Sequence, residues 1–182
     1  MSIRLYPEDL VVDGKNLVCD VFIETGTKHG TGVRSISALK WKTIHSIEYD
    51  ERNYNLSKVL DDGKRIFIHR GSSPDILKTI IDTTKETLFW LDAHYMGEGR
   101  SEMDPTFGEC PLLQELAVIK AFDWDVIPNV LIDDAHMFTN MIYSAYNAEQ
   151  WPTLEQISSL LPTHAISVRN NIIYCLGNEN AK

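Results

Sequence analysis

Short apolar runs of strand length alternate along this chain with longer segments in which apolar positions recur at helical spacing. That alternation is typical of consecutive βαβ units and predicts a mainly parallel sheet. The predicted strands cover residues 17–23, 43–47, 65–69, 87–91 and 126–132. The predicted helices cover residues 30–39, 51–60, 72–81 and 111–121, and a further one begins at Thr153 and is closed by Pro162.

The pattern changes near the end of the chain. Two apolar runs, 165–168 and 172–176, flank Arg169-Asn170-Asn171, and asparagine tolerates a positive φ, so an antiparallel hairpin is predicted. Together these elements predict an α/β fold. We expect a Rossmann-like, mainly parallel seven-stranded sheet with helices on both faces and a C-terminal antiparallel hairpin, in a single domain covering residues 1–182.

Composition and charge narrow the classes of partner. The 182 residues carry 17 Lys and Arg against 26 Asp and Glu, a formal charge of -9, so we expect no nucleic-acid partner. The three cysteines form no CxxC pattern, which fits reduced thiols. No signal peptide and no run of about 18 apolar residues is present, so we expect a cytoplasmic protein without a membrane partner.

Polar residues collect where the predicted strands end, which is where open α/β sheets bind ligands. The first strand leads into a loop with Gly26, Gly30 and Gly32, which permit tight turns and a close approach of a ligand to the backbone. Glu48 ends the second strand, 24 residues after Glu24, close to the spacing at which a carboxylate binds a ribose diol. The alternative is that Glu48 caps the following helix.

The ends of the fourth and fifth strands both read Asp, Ala, His. Asp92 and His94 follow the fourth strand, and Asp133, Asp134 and His136 follow the fifth. If these strands are neighbours, three carboxylates and two imidazoles face one crevice, where protons, a cation or a positively charged ligand must relieve their repulsion. Such a set suits a hard divalent cation such as Mg²⁺. Alternatively, one aspartate caps the next segment and both histidines are surface groups.

Other polar and aromatic residues carry weaker signals. We expect His29, His45, His69 and His164 to be surface or packing residues, and Trp151 is a candidate for the wall of a substrate pocket. The segment 97–109 is predicted to be a surface loop that closes over the site. No GxSxG nucleophile elbow is present.

Between residues 16 and 176 these motifs resemble the class I S-adenosylmethionine-dependent methyltransferases. The segment from Glu24 to Gly32 is similar to the motif whose backbone holds the methionine part of the cofactor, and Glu48 matches the acidic residue on the ribose. The chain departs from the family after the third strand, where many members carry an acidic residue near the adenine and this sequence has Arg70-Gly71-Ser72-Ser73; here we expect Ser72 to hydrogen-bond the adenine edge. The implied cofactor-binding residues are Glu24, Thr25, Gly26, Thr27, Gly30, Thr31, Gly32, Glu48, Tyr49, Ser72, Ser73 and Asp92.

Asp92 followed by Asp133-Asp134 looks like the acidic motifs of the macrocin-type, metal-dependent sugar O-methyltransferases. That resemblance implies Asp92, Asp133 and Asp134 as Mg²⁺ ligands and Asp92 as general base. With His94 and His136, Asp92 forms the predicted catalytic set. The sequence is shorter than those enzymes, and from it we expect no counterpart of their long N-terminal lid.

The expected activity is transfer of a methyl group from S-adenosylmethionine to a hydroxyl of a small acceptor such as a carbohydrate, assisted by a divalent cation, in a protein that can form homo-oligomers. One rival is an NAD-binding enzyme, although Gly26, Gly30 and Gly32 give GxxxGxG and not GxGxxG. A second rival is a binding or assembly module without turnover.

Overall fold

A seven-stranded sheet forms the centre of the protein in the computed structural model, which describes residues 5–95, 97, 102–139 and 146–178. The strands are β1 (Val21–Thr25), β2 (Thr43–Glu48), β3 (Ile66–Arg70), β4 (Thr87–Leu91), β5 (Asn129–Ile132), β6 (His164–Arg169) and β7 (Ile172–Gly177). Their spatial order is β3-β2-β1-β4-β5-β7-β6. The first five strands are parallel, and β7 is antiparallel to β5 and β6. The predicted fold class, with its C-terminal hairpin, is confirmed.

Within the described residues, six α-helices accompany the sheet. They are α1 (Thr31–Ile36), α2 (Glu51–Ser57), α3 (Ser73–Ile80), α4 (Leu112–Ala121), α5 (His136–Thr139) and α6 (Leu154–Leu160). Thr153 and Gln156 form a capping box at α6, and Pro74 lies in the first turn of α3, where its missing N–H is harmless. The short α5 was not predicted. No helix within the described ranges has the length and apolar character needed to cross a membrane.

Both faces of the sheet are covered by apolar side chains. All five residues of β4 are buried, and alternate residues enter opposite cores because successive side chains of a strand point to opposite faces. Phe89 packs on one side with Leu77 and Leu116 of α3 and α4. Trp90 packs on the other side with Val33 of α1. β4 therefore fixes the middle of the sheet and the position of the residues that follow it.

Two strand boundaries differ from the prediction. β1 begins at Val21, because the segment before it belongs to an N-terminal hairpin in which the Leu17 N–H donates to the Leu10 carbonyl at 2.8 Å. β5 begins only at Asn129, since Pro128 has no N–H to donate to a ladder. At the edge strand β3, the amides of Ile66 and Ile68 donate to carboxylates of the preceding turn, which shields this edge from further pairing.

Candidate active site

A cleft of about 730 Å³, partly open to solvent, lies at the carboxyl ends of the first four strands. We call it the main cleft. Among the predicted cofactor-binding residues its lining includes Gly26, Glu48, Tyr49, Ser72, Ser73 and Asp92. A second pocket, the rear pocket, is lined by Glu24, Gly26, Thr27, Thr31, Gly32 and Asp92, together with Leu5. The two pockets adjoin, because Gly26 and Asp92 line both, whereas the predicted residues Thr25 and Gly30 line neither.

Two glycines of the loop are required by their surroundings. Gly26 has φ +85°, and a Cβ there would lie 2.4 Å from the backbone oxygen of Asp92. A Cβ on Gly32 would lie 1.8 Å from Oε1 of Glu24. These glycines let β1 turn tightly against the end of β4 while leaving room for the Glu24 carboxyl group. Gly30, with φ +72°, precedes the first residue of α1, and Thr25 is fully buried behind the loop.

Glu24 is buried at the base of the rear pocket. The Ser46 hydroxyl donates to its Oε2 at 2.5 Å and also contacts the Thr27 hydroxyl at 2.6 Å. Burial raises the pKa of Glu24 to about 8, with further contributions from the charges of Asp92 and Glu48, while the Ser46 hydrogen bond opposes the shift. Glu24 therefore carries a proton near neutral pH.

Glu48 is fixed by backbone amides on both of its oxygens. Lys28 N–H donates to Oε2 at 2.6 Å, and Asp50 N–H donates to Oε1 at 2.8 Å. Burial raises the pKa of Glu48 to about 7, although the two amides lower it. The alternative role as helix cap is wrong, because Asp50 accepts the Asn53 N–H at 2.8 Å and caps α2. Glu48 keeps its remaining lone pairs for a ligand in the cleft.

The two serines after β3 play different parts. The Ser72 hydroxyl is buried and has no hydrogen-bond partner within the described residues, although its residue lines the main cleft. The Ser73 hydroxyl instead donates to the buried carboxyl group of Glu115 in α4. Only Ser72 thus offers its hydroxyl to a ligand. Sequence reasoning missed Glu115, although a glutamate on the same helical face as Leu112 and Leu116 was a signal.

The ends of β4 and β5 bring Asp92, His94 and Asp134 together, and we call these three residues the acidic cluster. Nε2 of His94 lies 3.5 Å from Oδ1 of Asp92 and 3.3 Å from Oδ2 of Asp134. One ligand atom from each residue lies within 4.8 Å of the others. Burial alone would lower the pKa of His94, but Asp134 and Asp92 outweigh it and raise that pKa to about 10. His94 is therefore no surface group: it is an imidazolium between two carboxylates.

Asp133 lies outside the acidic cluster, although the sequence placed it among the metal ligands. Its Oδ1 accepts the Asp134 N–H at 2.7 Å, and its Oδ2 is buried without a hydrogen-bond partner among the described residues. Burial, followed by the charges of Asp92 and Asp134, raises the pKa of Asp133 to about 9. A neutral acid at this position is a poorer cation ligand than the ionised Asp134, whose pKa lies below its ordinary value.

Asn171 supports the cluster from the C-terminal hairpin. Its Nδ2 donates to Oδ1 of Asp134 at 3.2 Å, and its Oδ1 lies 2.9 Å from Nδ1 of His136. The predicted positive φ at Asn170 and Asn171 is confirmed, with values of 51° and 62°. The sequence did not indicate the contact with Asp134, because it depends on β7 lying beside β5. His136 itself is partly exposed and lies on the outer side of Asp134.

Trp151 lines neither pocket, whereas part of the predicted closing loop lines the main cleft. Trp151 is 5% exposed and packs against His94 with ring centroids 5.3 Å apart, which places it behind the acidic cluster. The segment 102–109 lines the main cleft and is tied down where Glu102 N–H donates to Asp50 Oδ2 at 2.9 Å. The rest of the predicted closing loop, at 98–101, and residues 140–145 of the connection before Trp151 lie outside the described residues.

Two of the four histidines expected to be surface or packing residues form a pair. Nδ1 of His45 lies 2.9 Å from Nε2 of His69 on the neighbouring strand, and the two rings are stacked. His164 contacts the Pro128 carbonyl at 2.9 Å. His29 lines the rear pocket.

Comparisons with known proteins place this geometry in a fold class. No protein-family model and no curated protein sequence matches the chain. Solved structures do. The S-adenosylmethionine-bound CalS10, an amino pentose methyltransferase from Micromonospora echinaspora, matches with a TM-score of 0.56 at 8% identity, over 86% of this chain and 83% of that chain.

Two further matches agree with the first. A Staphylococcus aureus protein assigned as a caffeoyl-CoA O-methyltransferase gives a TM-score of 0.55 at 13% identity, over 87% of this chain and 77% of that chain. The PH0226 protein of Pyrococcus horikoshii OT3 gives 0.54 at 8% identity, with coverage of 88% and 82%. The chain therefore has the fold of S-adenosylmethionine-dependent methyltransferases.

Proposed function

We propose that this protein is an S-adenosylmethionine-dependent methyltransferase that acts on a hydroxyl of a small acceptor, with a carbohydrate as the expected class. The observation that carries the proposal is a single cleft that joins the glycine loop, the carboxylate of Glu48, the unpartnered hydroxyl of Ser72 and the carboxylate of Asp92. Four strand ends supply these groups, at the edge of the sheet where such folds bind nucleotide-like ligands.

The cofactor half of the site suits the chemical parts of S-adenosylmethionine. Glu48 is placed to accept hydrogen bonds from the ribose hydroxyls, and Ser72 is placed to bond the adenine edge. The rear pocket, which Gly26 and Asp92 also line, suits the methionine part, because its amino group is a cation and Asp92 is a carboxylate. When bound, the cofactor would supply a methyl group on a sulfonium for in-line displacement, so the protein's task is positioning.

The acidic cluster suits the acceptor half. Two carboxylate oxygens and one imidazole nitrogen fit a divalent cation, and the nitrogen suits Zn²⁺ better than the Mg²⁺ expected from the sequence. Such a cation would acidify an acceptor hydroxyl. Without one, the His94 imidazolium neutralises the two carboxylates.

Asp92 is the residue we assign to accept the proton from the acceptor hydroxyl. It lines both pockets, and burial, opposed by His94 and aided by Asp134, holds its pKa above the ordinary value. His94 is already protonated in this arrangement, so its role is to orient Asp92 and Asp134. His136, braced by Asn171, would contact the acceptor from the exposed side.

The assembly and location of the protein belong to the same proposal. We propose that it acts as one domain in the cytoplasm, in keeping with three free cysteines. The shielded edge at β3 makes pairing through that strand unfavourable, so any homo-oligomer would use another surface.

Calorimetric titration with S-adenosylmethionine, S-adenosylhomocysteine and NAD tests the cofactor. We expect the first two to bind, and Glu48→Gln to weaken binding about tenfold because a charge-assisted hydrogen bond to the ribose is lost. Glu51→Gln is the matched control, since Glu51 is exposed in the same region. Binding of NAD alone would support the dinucleotide rival. Cofactor binding without turnover on a panel of sugars, amines and phenols would support the binding-module rival.

A metal titration tests the cation without relying on activity. Mn²⁺ bound to the protein can be counted by electron paramagnetic resonance, with competition by Mg²⁺ and Zn²⁺. Asp134→Asn should abolish this binding, whereas Asp123→Asn, at an exposed position, should not change it. Equal Mn²⁺ binding by both variants would contradict the assignment of the acidic cluster.

A further inference from the structure

A series of interacting polar side chains is buried beneath the main cleft. Its centre is Glu115, which is 1% exposed and lies in α4 between the apolar residues Leu112, Leu116 and Ile119. A carboxyl group so far from water is costly unless hydrogen bonds satisfy its oxygens. Glu115 does not line either pocket, so its role is to act on residues that do.

Glu115 joins three elements of the site. The Ser73 hydroxyl, at the first residue of α3, donates to its Oε1. The side chain of Thr25, at the end of β1, also lies beside this carboxyl group. Thr25 Oγ1 in turn accepts the Asp92 N–H at 3.3 Å. The chain Ser73, Glu115, Thr25 and Asp92 therefore links the adenine side of the cleft to the acidic cluster.

The two ends of this series of polar residues, Ser73 and Asp92, lie next to the proposed ligand-binding groups or belong to them. Ser73 follows Ser72, whose hydroxyl is buried and has no partner among the described residues. Asp92 belongs to the acidic cluster and is the proposed proton acceptor. A small displacement of either Ser72 or Asp92 would change contacts that the proposed reaction needs, because catalysis tolerates only displacements well below 1 Å.

We infer that Glu115 is a positioning residue that holds Ser72 and Asp92 in register across the cleft. The inference rests on the proposed function for its consequences in catalysis, but the positioning itself is a property of the free protein. A leucine of similar volume would suit the apolar surroundings of α4. It would leave the Ser73 hydroxyl without its acceptor and would remove the polar group beside Thr25.

The first experiment needs no ligand. Amide hydrogen exchange of the free protein should be faster in Glu115→Leu than in the wild type at both 72–76 and 91–93, because both segments lose their common anchor. Gln114→Ala, an exposed position on the same helix, is the control and should leave both segments unchanged. Unchanged exchange in Glu115→Leu, or equal acceleration throughout the protein, would overturn the inference.

The second experiment measures the consequence for binding and turnover. Glu115→Leu should raise the Kd for S-adenosylmethionine about tenfold and also lower kcat, whereas Glu115→Gln, which keeps one acceptor oxygen, should stay within about threefold of the wild type. Adding Ser73→Ala to Glu115→Leu should cost nothing further, since both changes remove the same bond. If Glu115→Leu does not fold, Ser73→Ala alone should raise that Kd by about threefold.

The two proposals fail separately. If the wild type does not bind S-adenosylmethionine, the proposed function is wrong, but the exchange experiment still tests the positioning by Glu115. If the wild type binds and turns over while Glu115→Leu matches it in Kd and kcat, the proposed function stands and Glu115 is only a packing residue.

Discussion

The two halves of the cleft are held in place by different forces. On the side proposed for the cofactor, the residues are held by contacts with the backbone. Two glycines allow close packing, and two backbone amides donate hydrogen bonds to the Glu48 carboxylate. On the acceptor side, charged side chains hold one another, with His94 between Asp92 and Asp134. The first half is therefore preformed by the fold, whereas the second depends on a balance of charge that a proton, a cation or a substitution can change.

The largest effect is expected where the backbone packing is broken. Gly26→Ala introduces a Cβ against the Asp92 backbone in a residue with φ +85°, so we expect a loss of about 3 kcal/mol or more in free energy of unfolding and no measurable cofactor binding. Gly14→Ala is the control, because Gly14 has φ +79° but nothing within 4 Å of its Cβ position. Gly14→Ala should lower the free energy of unfolding by only about 1 kcal/mol. Similar losses for both variants in denaturant titrations would show that the close approach to Asp92 contributes nothing.

The next effect separates the acceptor half from the cofactor half. Asp92→Asn removes the proposed proton acceptor without changing its volume, so kcat should fall about a hundredfold while the Kd for S-adenosylmethionine changes by less than about threefold. Steady-state kinetics on an accepted substrate and calorimetry measure the two quantities. Asp123→Asn, exposed and distant in sequence, should change neither. A fall in cofactor affinity as large as the fall in kcat would mean that the halves are not separable.

A smaller effect concerns the dependence of stability on pH. The folded-state pKa of Glu24 is raised to about 8 from 4.5, so its contribution to stability is complete below the unfolded value and is lost as the pH rises through 8. The free energy of unfolding should fall with a slope of about 1 kcal/mol per pH unit from this group between pH 6 and 8. Glu24→Gln should flatten that slope, whereas Glu86→Gln, at an exposed site, should not.

The smallest effect is expected at the hairpin that braces the acidic cluster. Asn171→Ala removes the hydrogen bonds to Asp134 and His136, and kcat should fall about threefold to tenfold. Asn170→Ala carries the same backbone cost at a positive φ and leaves those contacts in place, so it should keep the wild-type kcat. Equal kcat values for the two variants would show that the Asn171 side chain does not contribute to turnover.

Part of the site could be predicted from the sequence alone. The spacing of Glu24 and Glu48 and the glycines between them were enough to predict that these residues lie together, because they belong to one βαβ unit and meet through local geometry. Residues on the first two strands are adjacent whenever those strands are paired in parallel. The order of strands and helices was equally visible in the hydrophobic pattern, although Pro128 and the N-terminal hairpin moved two boundaries.

The acidic cluster could be predicted only in part from the sequence. The repeated Asp, Ala, His ending marked the correct strand ends, but the pattern treated Asp133 and Asp134 alike. In the fold one carboxyl group is buried beside its own backbone and neutral, while the other meets His94. Which of two adjacent side chains meets His94 depends on the local backbone, here a positive φ of 53° at Asp134, and no spacing rule contains that information.

By itself, the sequence determined the α/β class, the C-terminal hairpin, the glycine loop and the role of strand ends as the place where chemistry collects, since these follow from periodicity and local steric rules. Only the tertiary structure decided that Glu115 accepts a hydrogen bond from Ser73, that Asn171 donates to Asp134, and that His94 lies between two carboxylates. Those contacts join residues far apart in the chain. They exist because the sheet order places β7 beside β5 and because a buried polar group is costly without a hydrogen-bond partner.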